Sequence, residues 1–201
     1  MQDLVLSLVN GVDAGIDAVE ALLLLAEWMS HWSTSTGKVG RGEEDKVVWM
    51  YVGTAVRLAY FMDVDRVTTS HDTEQDDQFV IARKRLVWSA CYMCDRNVSV
   101  RLGKGFWSRG PGPTSGLKSQ DFPLLQPLFQ GEADYATIMQ ANLELTQLFS
   151  NAHDILYSRK GRGWRLMIEG DYIKYIVSIV VRGLCSHAML CAKRVGDDPR
   201  S

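Results

Sequence analysis

The stretch Arg83-Lys84-Arg85-Leu86-Val87-Trp88-Ser89-Ala90-Cys91-Tyr92-Met93-Cys94-Asp95-Arg96-Asn97-Val98-Ser99-Val100-Arg101-Leu102 decides how this chain folds. Val87, Cys91, Cys94 and Val98 fall on one stripe at helical spacing, and no alternating strand pattern competes with it. Trp88, Tyr92, Asp95, Ser99 and Leu102 share a second face. A carboxylate on a largely apolar face needs a positive partner or several donors. Arg57, on the preceding helix, is the candidate. The pattern therefore predicts a partly buried Asp95–Arg57 interaction that joins two helices and is architectural, not catalytic.

Working outward, the same periodicity predicts about five helices, over residues 4–32, 43–62, 79–102, 132–158 and 172–193. Gly11 and Gly15 weaken the first half of the first helix, so a break is expected there. Glu43, Glu44 and Asp45 open the second helix, where the helix dipole favours negative charge. The connectors are of two kinds. Residues 67–77, rich in Thr, Asp and Gln, read as an exposed acidic loop. Residues 103–130 begin with repeated glycine and proline, which forbid a regular helix. The fold class expected is all-α, an irregular multi-helix domain with long Gly/Pro and acidic loops. One domain is expected over residues 1–193, incomplete, with a disordered tail over 194–201.

The chain has 201 residues and a net charge of −2. Such a chain can bury a sizeable core, but it lacks the basic excess of a free-standing nucleic-acid-binding domain. Its longest apolar run, Ala21-Leu22-Leu23-Leu24-Leu25-Ala26, is far short of a membrane span.

Cys91-x-x-Cys94 invites a metal or redox reading. A zinc site needs about four ligands, and Cys185 and Cys191 have the wrong spacing for a second pair. A thioredoxin-like site needs a preceding strand, whereas Cys91 lies in mid-helix. The stripe favours buried core, because cysteine packs as a small hydrophobe. None of His31, His71, His153 and His187 forms a local metal motif. His71, with Asp72, Glu74, Asp76 and Asp77, lacks the spacing of a calcium loop. The glycine run after Leu102 has no phosphate-loop motif, and no nucleophile elbow is present. No catalytic, cofactor-binding or metal-binding residue is assigned, and no enzyme is expected.

Two stretches form a recognisable pair. The first is Ala55-Val56-Arg57-Leu58-Ala59-Tyr60-Phe61-Met62-Asp63-Val64-Asp65-Arg66. The second is the opening stretch continued to Gly103-Lys104. Together they resemble the fungal-specific transcription factor domain, the middle homology or xylanolytic-activator-type regulatory region of zinc binuclear cluster transcription factors. Asp121-Phe122-Pro123 looks like a later Asp-x-Pro segment of that family. Lys104-Gly105 departs from the family's Arg-Pro, and Asp65 stands where a His is common. The signature residues are Arg57, Trp88, Tyr92, Asp95, Arg96, Ser99 and Gly103.

The resemblance implies a regulatory and interaction domain in a nuclear regulator of RNA polymerase II transcription. It implies co-regulators or a small-molecule inducer as partners, and no membrane. DNA and zinc binding would belong to a separate N-terminal module, where six cysteines hold two zinc ions, absent from this chain. Phe106 and Trp107 are candidate contact residues and equally candidate core plugs. Two alternatives stand beside this reading. One is a small-molecule-binding helical protein with a pocket near Asp95, Tyr92 and Arg57. The other is a non-functional truncated fragment.

Overall fold

The computed structural model describes residues 6–8, 14–28, 43–66, 78–110, 114, 116–129 and 131–157. Among these there are helices and turns but no strand, so the all-α expectation holds. Helix α1 spans Ile16–Trp28, α2 Glu43–Phe61, α3 Gln78–Leu102 and α4 Tyr135–Tyr157. Two short 3-10 turns, Ser119–Asp121 and Pro123–Leu125, interrupt the long connection between α3 and α4. The expected fifth helix, the acidic loop and the tail lie outside the described residues.

The chain divides into two compact units, Met1–Gln140 and Ala141–Ser201. In the first, α1, α2 and α3 pack on one another. Val19, Leu22, Leu23 and Ala26 of α1 meet Val52, Ala55, Val56 and Ala59 of α2 and Val87, Trp88, Cys91 and Val98 of α3 in one core. Ion pairs fix the directions of the helices. Arg83, near the start of α3, reaches Asp17 and Glu20 near the start of α1, so these two helices run parallel. Arg101, at the end of α3, pairs with Asp45 at the start of α2 at 3.0 Å, so α2 and α3 run antiparallel.

Gly15 stands immediately before α1, and its carbonyl accepts from Ala18 N–H at 3.0 Å. The expected break is therefore where the glycine lies. The ends of α2 and α3 use the same device. After α2, Asp63 adopts φ 51°; its N–H donates to Tyr60 O and Val64 N–H donates to Ala59 O, at 3.1 and 3.0 Å. After α3, Gly103 adopts φ 60°, with Gly103 N–H donating to Val100 O and Lys104 N–H to Ser99 O, at 3.2 and 2.9 Å. Both are Schellman caps, which satisfy carbonyls the helix leaves open and turn the chain sharply. Asp is among the few non-glycine residues that tolerate this left-handed position.

The connection after α3 is more than a linker. Phe122 is 1% exposed, and Asp121 O accepts from Arg85 Nη1 at 3.0 Å, tying this segment to α3. Asp134 then caps α4, accepting from Thr137 N–H (3.0 Å) and Thr137 Oγ–H (2.7 Å). In the second unit, the α4 side chains Leu143, Thr146, Ser150 and His153 are buried.

Candidate functional site

The Schellman cap at Gly103 turns the chain back along α3, and the strap 104–109 returns over α2 and α3. Asp95 holds it there. Asp95 Oδ2 accepts from Ser108 N–H (2.7 Å), Ser108 Oγ–H (2.7 Å) and Arg96 Nη1 (2.8 Å). Asp95 Oδ1 accepts from Trp107 N–H (3.1 Å) and Ser99 Oγ–H (3.3 Å). Arg96 completes the ring by donating to Ser108 Oγ (2.8 Å) and Ser108 O (3.1 Å). Its guanidinium lies between two aromatic rings, 4.5 Å from the Tyr92 centroid and 4.0 Å from that of Phe106.

This ion pair is fully buried, with Asp95 0% and Arg96 2% exposed. Burying two charges is costly unless the geometry is good and the remaining lone pairs are hydrogen-bonded. Here every donor comes from α3 or the strap, so the node exists only when the strap is docked. Removing one partner would strand the other charge in the core.

The strap delivers Trp107 onto Gly53 of α2. A Cβ at Gly53 would lie 2.7 Å from Trp107 Cε2 and 2.8 Å from its Nε1. Trp49 packs against Trp107 at a 39° tilt, with ring centroids 4.5 Å apart, and Trp49 Nε1 donates to Ser99 Oγ at 3.1 Å. Further along, Arg109 N–H donates to Tyr60 Oη at 2.8 Å. Tyr60 in turn meets Trp88 edge-on at 5.0 Å.

The signature residues divide clearly. Tyr92, Asp95, Arg96 and Ser99 come together in the buried node. Gly103 makes the turn that leads into the strap, and Trp88 sits in the core below Tyr60. Arg57 is a correction. It is exposed and does not pair with Asp95. Its Nη2 donates to Thr54 Oγ at 3.2 Å, and its guanidinium lies 5.3 Å from the Trp107 ring centroid. The true partner of Asp95 is the adjacent Arg96. Consecutive residues point about 100° apart on a helix, so a search along one face passes over it.

Phe106 and Trp107 are both half-buried; Phe106 lies on the Arg96 guanidinium and Trp107 packs against the main core. Ser108 is bonded to both charges of the node, and Gly53, Trp49 and Tyr60 of α2 meet the strap around it; none of these four was named as a site residue from sequence. Their only sequence signal was a buried-prone acid before a glycine turn, which asks for donors without saying where they lie.

Cys91 is 0% exposed, and burial pushes its thiol well above the ordinary range. Cys94, half-buried beside it, is pushed up to about 11, first by burial and then by the negative charges of Glu27 and Asp95. Both thiols are free. Thiolate is the reactive and metal-binding form, so this setting disfavours either use. Among the described residues no three His, Cys, Asp or Glu side chains converge as a metal site, and no helix is long and apolar enough to cross a membrane.

Asp95 and Tyr92 are fully buried, whereas Arg57 is exposed. An open cavity of about 330 Å³ lies beyond the C-terminal end of α2, lined by Tyr60, Asp63, Asp65, Arg66 and Arg109.

Residues 12–109 match the family described as the fungal specific transcription factor domain. The matched region takes in α1, α2, α3 and the strap as far as Arg109. The resemblance drawn from the two helical stretches is thereby borne out. The chain is also 30% identical over 98 residues to an uncharacterized transcriptional regulatory protein of Schizosaccharomyces pombe, covering 49% of this chain and 11% of that protein. The chain thus spans about a tenth of that relative's length. No solved structure matches.

Proposed function

We propose that this chain is a regulatory and interaction domain of a fungal transcription factor that controls RNA polymerase II transcription in the nucleus. The observation that carries the reading is the match of residues 12–109 to the fungal specific transcription factor domain. The S. pombe relative, an uncharacterized transcriptional regulatory protein, points the same way. The net charge of −2 supports assigning DNA contact, and the zinc that organises it, to a separate module of a longer parent. The role is non-enzymatic: the most strongly built polar cluster is consumed in holding the strap. The partners are co-regulators or a small-molecule inducer.

The test is a tethered reporter. The chain is fused between a foreign DNA-binding domain and a constant activation segment, and output is compared with the same fusion lacking the chain. A regulatory domain changes the output. Equal output from both fusions removes the transcriptional role for this chain.

A further inference from the structure

The connection between α3 and α4 builds a small lobe of its own. Ser119 N–H donates to Gln140 Oε1 at 2.9 Å, and Gln126 Nε2 donates to Ser119 O at 2.8 Å, which ties the 3-10 turns to the start of α4. Arg85 holds the same segment to α3 through Asp121 O. We propose that the outer face of this lobe is a docking surface for a basic amphipathic segment of a partner protein, with apolar side chains on one face and Lys or Arg beside them. The proposal rests on the regulatory reading above and gives its co-regulator a place and a chemistry.

The apolar half of the surface is built, not scattered. Leu128 is 81% exposed, Phe129 77%, Tyr135 56% and Ile138 50%. Glu132 closes the turn that joins these two pairs. Its carboxylate accepts from Leu128 N–H at 2.8 Å, and its N–H donates to Phe129 O at 3.2 Å. Gly131, inside the turn, takes φ 99°. Tyr135 and Ile138 stand three residues apart and share a face of α4. Ala136, Met139 and Gln140 of the same turns are buried. Single exposed apolar residues are ordinary on a protein surface, whereas a cluster rimmed by polar groups marks an interaction site.

Charge selects the occupant. From Lys118 to Gln140 the lobe carries one lysine and three carboxylates, Asp121, Glu132 and Asp134, a net of −2 that equals the charge of the whole chain. The next Lys or Arg after Lys118 is Arg159. The positive pole of α4, about half a charge, offsets only part of this. Opposite charges across an interface steer the partners and fix their orientation, and like charges penalise the wrong ones. A second copy would bring the same carboxylates face to face. An anionic membrane or a nucleic acid would be repelled. A cationic partner with apolar anchors meets both halves of the surface, as when an amphipathic helix lays its apolar face on a protein.

The experiment is fluorescence anisotropy of the full chain with three labelled helical peptides, each about four helical turns long. One has leucines on one face and Lys and Gln elsewhere. The second replaces Lys by Glu, and the third keeps Lys but replaces Leu by Ser. The basic amphipathic peptide should bind saturably, and neither control should bind comparably. Leu128→Ser with Phe129→Ser should weaken that binding by about tenfold or more, as expected for two lost apolar contacts. Glu132→Gln with Asp134→Asn keeps the acceptors of the turn and the cap; it should weaken binding several-fold and flatten its dependence on salt. The apolar positions are exposed, so these variants should stay folded, which circular dichroism checks. No saturable binding of the basic peptide overturns the proposal, as does equal binding of either control or binding indifferent to the Leu128/Phe129 change. Self-association of the parent chain that the same change abolishes, read by analytical ultracentrifugation, also overturns it in favour of a second copy. Binding is read on the purified chain, so a failure here counts against this surface and leaves the reporter result standing.

Discussion

Replacing Gly53 by alanine should destabilise this protein, although the same change inside an ordinary helix stabilises it. Alanine is better than glycine in a helix interior by about 1 kcal/mol. At Gly53 the new methyl would sit 2.7 Å from Trp107 Cε2 and 3.1 Å from its Cζ2, where ordinary contact is 3.4–4 Å. The obstacle is a ring, not a flexible chain end. Trp49 packs against it at a tilt, and the backbone N–H groups of Trp107 and Ser108 are bound to Asp95. Relief requires moving the strap by several tenths of an ångström. Overpacking of this kind costs about 1–3 kcal/mol. Moving the strap also stretches hydrogen bonds to a buried charge, each worth about 1.5–3 kcal/mol. After the helix gain is subtracted, the net loss should be about 1–2 kcal/mol. Urea unfolding followed by circular dichroism measures it. The decisive comparison repeats Gly53→Ala in a Trp107→Ala background. With the ring gone, the sign should reverse to a gain of about 0.5–1 kcal/mol, giving a coupling that separate, non-touching sites do not show. If Gly53→Ala stabilises the parent chain as much as the Trp107→Ala variant, the plug is not there and the reasoning fails.

Other outcomes follow from the same geometry. Asp95→Asn should cost about 3–5 kcal/mol in denaturant unfolding, because Arg96 is left charged and unpaired at 2% exposure. A loss below about 1 kcal/mol would mean that the pair is not buried as described. Gly103→Ala, at φ 60°, should cost about 1 kcal/mol through left-handed strain, and Gly103→Asn should recover part of it, as read by thermal melting. Cys94 gives a pH signature. Its thiol rises from an ordinary 9.0 to about 11 in the folded chain, so the folded state holds its proton more tightly than the unfolded one. The resulting stability is full below about 9 and is lost as pH rises towards about 11. Parent and Cys94→Ala chains should therefore converge in stability over that window; a constant difference would contradict the burial.

The elements were legible where one face repeats over several turns. The periodicities of α2, α3 and α4 place them within a few residues of their observed ends, because buried apolar residues at 3.6 spacing leave little alternative. The need of Asp95 for a buried partner was legible too, from a carboxylate on an apolar face. Its identity was not. Along the apolar face of α3 the nearest candidate cation is Arg57 on α2, whereas Asp95 pairs with Arg96, one residue along, and with two backbone N–H groups of the strap. Backbone donors carry no sequence label. The fit of Trp107 to Gly53 joins positions far apart in the chain, and either residue alone reads as ordinary. The connection 103–130 was legible as irregular, but the burial of Phe122 depends on a chain reversal that glycine and proline permit without specifying. The cavity likewise depends on Arg109 meeting the turn at Asp63–Arg66.

The most direct test of the regulatory account compares folded and node-broken chains in the tethered reporter. The parent chain should shift output from the constant activator, and Asp95→Asn should return it towards the level of the fusion without the chain, at matched protein abundance by immunoblot. Parent and chain-free fusions of equal output would contradict the account. So would a shift that Asp95→Asn leaves untouched, because regulation would then not depend on the docked strap and its buried ion pair.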